Sequence, residues 1–276
     1  MISVEGLSCR YSGKEFELRV DGLEVKRGEF VLITGPSGSG KSTLAYCLSG
    51  LIPHYIRNAR MLGRVSICGM DTSRTPIHEL SKRVGFILQN PEAQIFGMTV
   101  EEDLAFGLEN LGMPYDEMKR RVEETLNLMG MRELRDLDTS SLSGGMKQKL
   151  VIASVLIMRP DVLILDEPLA NLDPKETGGI LSILYSLKRV GKTVVVIERR
   201  LGELSPLVDR VVALKDGRVV ADLDPRSFFE DEGLINELNV VPPKVVEVAY
   251  ELRRMGLKLE PFPLSERELV RSVVGG

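Results

Sequence analysis

Apolar residues in this chain follow two rhythms. Unbroken runs at Phe30 to Thr34, Val84 to Leu88, Val162 to Leu165 and Thr193 to Ile197 predict buried parallel strands, because a strand covered on both faces needs no polar alternation. Ile2 to Leu7, Phe16 to Val25 and Arg64 to Cys68 mix polar and apolar positions and predict an antiparallel edge sheet. Val211 to Leu214 and Arg218 to Ala221 flank Lys215, Asp216 and Gly217, a hairpin signal that would close the sheet. A helical insertion is expected over residues 90–160, where Met118, Val122, Leu126 and Met129 repeat at helical spacing, a core-facing stripe. Beyond Asp224 and Pro225 the composition changes. Pro242 and Pro243 start a segment whose stripe is Val245, Val248, Leu252 and Met255, and Ser265 with Glu268 predicts a capping box for a terminal helix. The expectation is an α/β protein with a main domain over 1–225 and a small helical appendage over 226–276.

Chemistry enters at the end of the first buried run. Gly35, Pro36, Ser37, Gly38, Ser39, Gly40, Lys41, Ser42 and Thr43 link that strand to a helix expected over Ser42 to Ser49, which is the context of a phosphate-binding loop. Gly35, Gly38 and Gly40 let backbone N–H groups turn inward around phosphate oxygens, and the helix dipole favours an anion there. Lys41 would reach terminal phosphates and Ser42 would ligate Mg²⁺. Alone, this loop leaves GTPases, kinases and motor ATPases open.

The run Val162 to Leu165 ends in Asp166 and Glu167. Asp166 suits a Mg²⁺ shell, and Glu167 can orient or deprotonate an attacking water. The alternative is an ordinary core strand with a charged turn.

These motifs, together with Leu142, Ser143, Gly144 and Gly145 and the step Ala170, Asn171, Leu172 and Asp173, resemble the ATP-binding-cassette ATPases in order and spacing over most of the chain. The resemblance implies a phosphate-loop NTPase core with an antiparallel β subdomain, ATP and Mg²⁺ as ligands, and head-to-tail pairing with a second ATPase subunit. In that pairing Ser143, Gly144 and Gly145 would open a helix, expected over Met146 to Met158, whose N–H groups face the partner's γ-phosphate. A narrower resemblance rests on Gln89, Asn90, Pro91, Glu92, Gln94, Ile95 and Phe96. This run is similar to energy-coupling-factor transporters, which import vitamins and transition-metal ions. It implies that Gln89 contacts Mg²⁺ and the attacking water, that Ile95 and Phe96 lie near a transmembrane coupling subunit, and that a separate membrane subunit binds the solute. Tyr11 matches the aromatic that stacks on adenine, although a tyrosine in a strand is equally a sheet-surface residue. The appendage would be a dimerisation element or would pack on its own domain.

One position departs from the cassette pattern. After Thr193 to Ile197 the family places a histidine that contacts the γ-phosphate, and here Arg199 stands between Glu198 and Arg200. The two histidines, His54 and His78, lie far upstream and cannot take its place. A guanidinium donates well to phosphate but accepts neither a proton nor a hydrogen bond. Impaired turnover at this half-site is the expectation, with Arg199 on the phosphate or turned into a salt bridge with a carboxylate such as Glu203. A histidine-bearing partner in an asymmetric dimer would keep one full site; the other reading is a homodimer in which Arg199 suffices. A rival from another class is a nucleotide-binding structural subunit with little turnover.

Composition narrows the rest. A net charge of −4 over 276 residues offers no basic footprint for nucleic acid, which disfavours a cassette acting on DNA or ribosomes. Charges interrupt every apolar run, and Met1 to Glu5 has no basic start with an apolar core, so neither a membrane span nor a signal peptide is expected. Attachment to the cytoplasmic face of a membrane would come through partners. Cys9, Cys47 and Cys68 lack metal-ligand spacing and fit a reducing compartment. With no Trp and eight Phe, the core must lean on Val, Leu and Ile.

Overall fold

A computed structural model describes residues 1–274. Ten strands form one sheet: β1 (Ile2–Tyr11), β2 (Glu17–Val25), β3 (Phe30–Thr34), β4 (Ala59–Ile67), β5 (Met70–Asp71), β6 (Val84–Ile87), β7 (Val162–Asp166), β8 (Thr193–Ile197), β9 (Arg210–Lys215) and β10 (Arg218–Leu223). Their order is β5-β4-β1-β2-β10-β9-β3-β8-β7-β6. The run β9-β3-β8-β7-β6 is parallel, and β5-β4-β1-β2 is antiparallel, as their patterns predict. The halves are joined through β10, which pairs antiparallel with β9 and touches β2 at Arg218 and Arg19. Asp216 and Gly217 turn that hairpin, both with positive φ (47° and 76°), as the favoured two-residue turn demands.

Alternate residues of each parallel strand feed opposite faces. Phe30, Leu32, Leu163, Leu165, Val194 and Val196 pack under the helices, while Val31, Ile33, Val162, Ile164, Val195 and Ile197 pack toward the antiparallel sheet. Burial on both sides fixes the register, since a one-residue slip would exchange the two sets. Four phenylalanines, Phe30, Phe228, Phe229 and Phe262, are among the largest fully buried side chains, so the aromatics contribute more to the core than their number implied.

The helices are α1 (Lys41–Ser49), α2 (Leu51–His54), α3 (Ile77–Leu80), α4 (Val100–Asn110), α5 (Tyr115–Leu128), α6 (Gly144–Leu156), α7 (Pro174–Arg189), α8 (Pro225–Glu230), α9 (Glu232–Leu238), α10 (Lys244–Arg254) and α11 (Glu266–Val274). In α5 Val122 and Leu126 are buried, as expected. Helix α6 begins two residues before Met146, because Ser143 caps it through Met146 N–H and both glycines lie in its first turn. The stripe expected in the appendage is only half right. Val245 and Leu252 pack on the core, but Val248 and Met255 are exposed, and Val246, Ala249 and Tyr250 are the buried residues. The Tyr250 hydroxyl donates to the Phe229 carbonyl at 2.5 Å, which turns that face inward. Only half of the capping box forms: Glu268 N–H donates to Ser265 Oγ, while Glu268 Oε2 accepts from Leu264 N–H rather than from Ser265. Phe228, Leu238, Val246, Leu259 and Phe262 belong to the same core as Leu201 and Leu204. The segment after 225 therefore packs on the main body. Among the described residues no helix is long and apolar enough to cross a membrane.

Candidate nucleotide site

Four parallel strands deliver the candidate residues at their carboxyl ends: β3 leads into the loop Gly35 to Gly40, β6 is followed by Gln89, β7 ends at Asp166, and β8 is followed by Glu198 and Arg199. This is where open parallel sheets bind ligands. Gly35 has φ +137°, and an added Cβ would lie 1.9 Å from the Leu214 carbonyl oxygen, so no other residue fits there. Gly40, with φ +102°, opens α1. Lys41 Nζ donates to the Gly35 and Pro36 carbonyls, both at 2.8 Å, which lays the ammonium along the loop. Burial lowers the Lys41 pKa; Glu167, Asp166 and Glu198 counter the fall, and Arg199 adds to it. A cavity of about 400 Å³ opens beside the loop, lined by Tyr11, Phe16, Ser37, Lys41, Thr43 and Glu167. Burial raises the Tyr11 hydroxyl pKa, and the neighbouring Thr43 side chain opposes the rise. An aromatic wall on a phosphate cradle suits a purine base.

Asp166 is buried, and burial raises its pKa, opposed by the nearby Ser42 side chain and by Lys41. Its Oδ1 has no partner among the described residues. An orphaned carboxylate oxygen beside a hydroxyl suits a hard divalent cation such as Mg²⁺, whose remaining ligands come from phosphate and water. Glu167 sits at φ +48°, a strained backbone that is kept at functional positions when the surroundings enforce it. Here Glu167 N–H donates to the Ile197 carbonyl at 2.9 Å. Gln89 Nε2 donates to Glu167 Oε2 at 2.8 Å. A water beside this pair would face a carboxylate already oriented for proton removal.

Arg199 Nη1 donates to Ser37 Oγ at 3.0 Å. The guanidinium therefore rests on the phosphate loop, and the expected alternative of a salt bridge with Glu203 is not what forms. Glu198 organises the turn: its Oε1 accepts from Arg199 and Arg200 N–H at 3.0 and 3.3 Å, and burial raises its pKa. Sequence reading missed this carboxylate, although its position directly after a buried strand was a signal. It also missed Phe16, which reaches Gly40 across the cavity.

Two further segments lie outside this cavity. Ser143 and Gly145 line a separate one of about 310 Å³, so a single copy does not bring them to its own phosphate loop. Lys147 links their helix to the Gln89 segment through Glu92 at 2.6 Å. Gln94 ties that segment back onto β6, accepting from Leu88 N–H at 2.6 Å and donating to the Phe86 carbonyl at 2.9 Å. Beyond it Phe96 stacks on Phe106 with centroids 5.1 Å apart, and both line a cavity of about 490 Å³. Asp103 supports this edge from beneath: buried, it accepts from Phe96 N–H, Gly97 N–H and Ser154 Oγ at 2.8, 3.1 and 2.7 Å. Replacing it by alanine leaves those donors unmatched. The expected loss is about 1–3 kcal/mol, measured by urea unfolding.

Residues 18–170 match the ABC transporter family model, and these residues span the phosphate loop, Gln89, Ser143 to Gly145, Asp166 and Glu167. The chain belongs to the ABC transporter ATP-binding cassette family. A protein of Pyrococcus abyssi provisionally named as an ABC transporter ATP-binding protein is 42% identical over 99% of the chain and 98% of its own length. A similarly named protein of Saccharolobus solfataricus is 44% identical over 88% of the chain, the match taking 46% of its length. Among solved structures, cbiO1 of Clostridium perfringens, described as part of the ABC transporter complex cbiONQ, superposes with TM-score 0.75 at 32% identity, over 90% of this chain and 98% of that one. The cassette MJ0796, a dimer bound to ADP and Pi, gives TM-score 0.70 at 29% identity over 82% and 99%. The cassette is thus an ATP-binding ATPase subunit of an ABC transporter, of a kind that acts as a dimer with transmembrane partners.

Proposed function

We propose that this cassette powers an energy-coupling-factor importer for a micronutrient, either a vitamin or a transition-metal ion. It would work on the cytoplasmic face of the membrane beside a second ATPase, a transmembrane coupling subunit and a solute-binding membrane subunit. The observation that carries this reading is the segment from Gln89 to Phe96. It binds Glu167 at one end and presents the exposed Phe96 and Phe106 pair at the other. A membrane partner seated on that pair would be connected to the catalytic carboxylate through a few residues pinned by Gln94. The likeness to cbiO1, named as part of a cbiONQ complex, supports the same class.

In this reading Lys41 and the loop from Gly35 to Thr43 hold the phosphates, and Tyr11 holds the base. Ser42, Asp166 and Gln89 would hold Mg²⁺, which when bound neutralises developing charge on the phosphates. Glu167 takes the proton from the attacking water while Gln89 orients it. Arg199 holds the γ-phosphate end of the loop from Ser37 but offers no acceptor, so hydrolysis at this half-site is slow. Ser143, Gly144 and Gly145 serve the partner's nucleotide, and a histidine-bearing partner would supply the faster site. Cells lacking the chain should lose uptake of labelled cobalt, nickel or one B vitamin. Unchanged uptake of all of them would overturn the micronutrient reading.

A further inference from the structure

The N-terminus of α6, which in the reading above receives the partner's γ-phosphate, already has an anion on it. Ser143 Oγ donates to Glu176 Oε1 at 2.8 Å, and Gly145 N–H donates to the same oxygen at 3.1 Å. Helix α6 carries no acidic residue in its own first turn; the carboxylate reaches across from α7. Its fit is close, since a Cβ on Gly145 would lie 2.2 Å from the Glu176 carboxyl carbon. Helix capping does not account for this oxygen. In the capping box of α7, Glu176 Oε2 accepts from Asp173 N–H at 3.4 Å and Glu176 N–H donates to Asp173 Oδ1 at 2.7 Å. That box uses Oε2 and leaves Oε1 free for Ser143 and Gly145.

We propose that Glu176 is a resident stand-in for a γ-phosphate, so that this face of the cassette admits a partner loaded with nucleoside triphosphate only by exchanging one anion for another. The inference rests on the reading that Ser143 to Gly145 serve the facing subunit's nucleotide. The logic is competitive. The helix dipole and the donors at Ser143 and Gly145 can satisfy one anionic group at a time. A terminal phosphate carries more charge and more acceptor oxygens than a carboxylate, so it displaces Glu176. A diphosphate ends short of that position and leaves Glu176 in place. Glu176 thereby sets the triphosphate concentration at which two cassettes close, and it does so without touching the nucleotide held by its own Lys41.

The test uses the full chain carrying Glu167→Gln, so that ATP is not consumed, and follows self-association by sedimentation against Mg-ATP concentration. Glu176→Gln keeps an amide oxygen for the α7 capping box and removes the charge; Glu176→Ala removes both. The ATP concentration for half-association should fall about tenfold in Glu176→Gln, because hydrogen bonds to a charged group exceed neutral ones by roughly that much, and at least as far in Glu176→Ala, which removes the bonds altogether. ATP affinity of the unassociated chain, measured by calorimetry, should not move. An unchanged threshold in both variants, or a weaker association confined to Glu176→Ala, overturns the stand-in while leaving the shared site intact. If no variant associates at saturating ATP, two copies of this chain do not share their sites and the inference fails with that pairing.

Discussion

Replacing Glu167 by glutamine is expected to lower Mg-ATP turnover by about 10²–10³-fold while ATP affinity stays within a factor of two, as a positioned general base contributes on that scale. The reason is local. Gln89 Nε2 already holds one Glu167 oxygen, so an amide at 167 would keep the side chain in place and remove only its capacity to take a proton. Binding is proposed to depend instead on Lys41, whose ammonium lies on the Gly35 and Pro36 carbonyls. Steady-state phosphate release beside calorimetric ATP titration separates the two quantities. A variant that keeps a tenth or more of the native rate would show that another group removes the proton.

Replacing Gly35 by alanine should abolish nucleotide binding and destabilise the fold by about 3 kcal/mol or more, since a non-glycine residue in a forbidden backbone region is strained before any clash is counted. Here the clash is with main chain. The new Cβ would sit 1.9 Å from the Leu214 carbonyl oxygen, and β9, which carries Leu214, is bonded to β3 over four residue pairs, so neither strand can withdraw. The loop would have to leave its conformation, and with it the backbone N–H groups proposed to face phosphate. Thermal unfolding should drop by roughly 2–4 °C per kcal/mol lost. An unshifted midpoint with ATP still bound would contradict the close approach.

The parallel core and the phosphate loop were legible because they depend on local signals: unbroken apolar runs, glycines at fixed spacing, and carboxylates at a strand end. Long-range placements were not. Arg199 reaches Ser37, 162 residues away, only because β8 and β3 are neighbours, and no periodicity near 199 reveals that direction. Asp103 and Glu176 read as ordinary acidic residues in the first turn of a helix; their partners Phe96, Ser154, Ser143 and Gly145 come from other elements. In α10 two stripes compete at helical spacing. The one with Tyr250 lies inward because its hydroxyl finds the Phe229 carbonyl, a contact between segments that the spacing of Val245, Val248 and Met255 could not register.

Arg199 is the point on which the asymmetric pair stands or falls. Its guanidinium holds Ser37 of the loop but cannot accept a hydrogen bond or a proton. The decisive measurement is steady-state Mg-ATP turnover of the purified chain beside Arg199→His, with Glu167→Gln as the blank. The native rate should lie above the blank, and histidine should raise it about tenfold, equivalent to roughly 1.4 kcal/mol of barrier. A histidine variant no faster than the native chain would contradict the account, because Arg199 would then support full turnover and a pair of identical subunits would suffice.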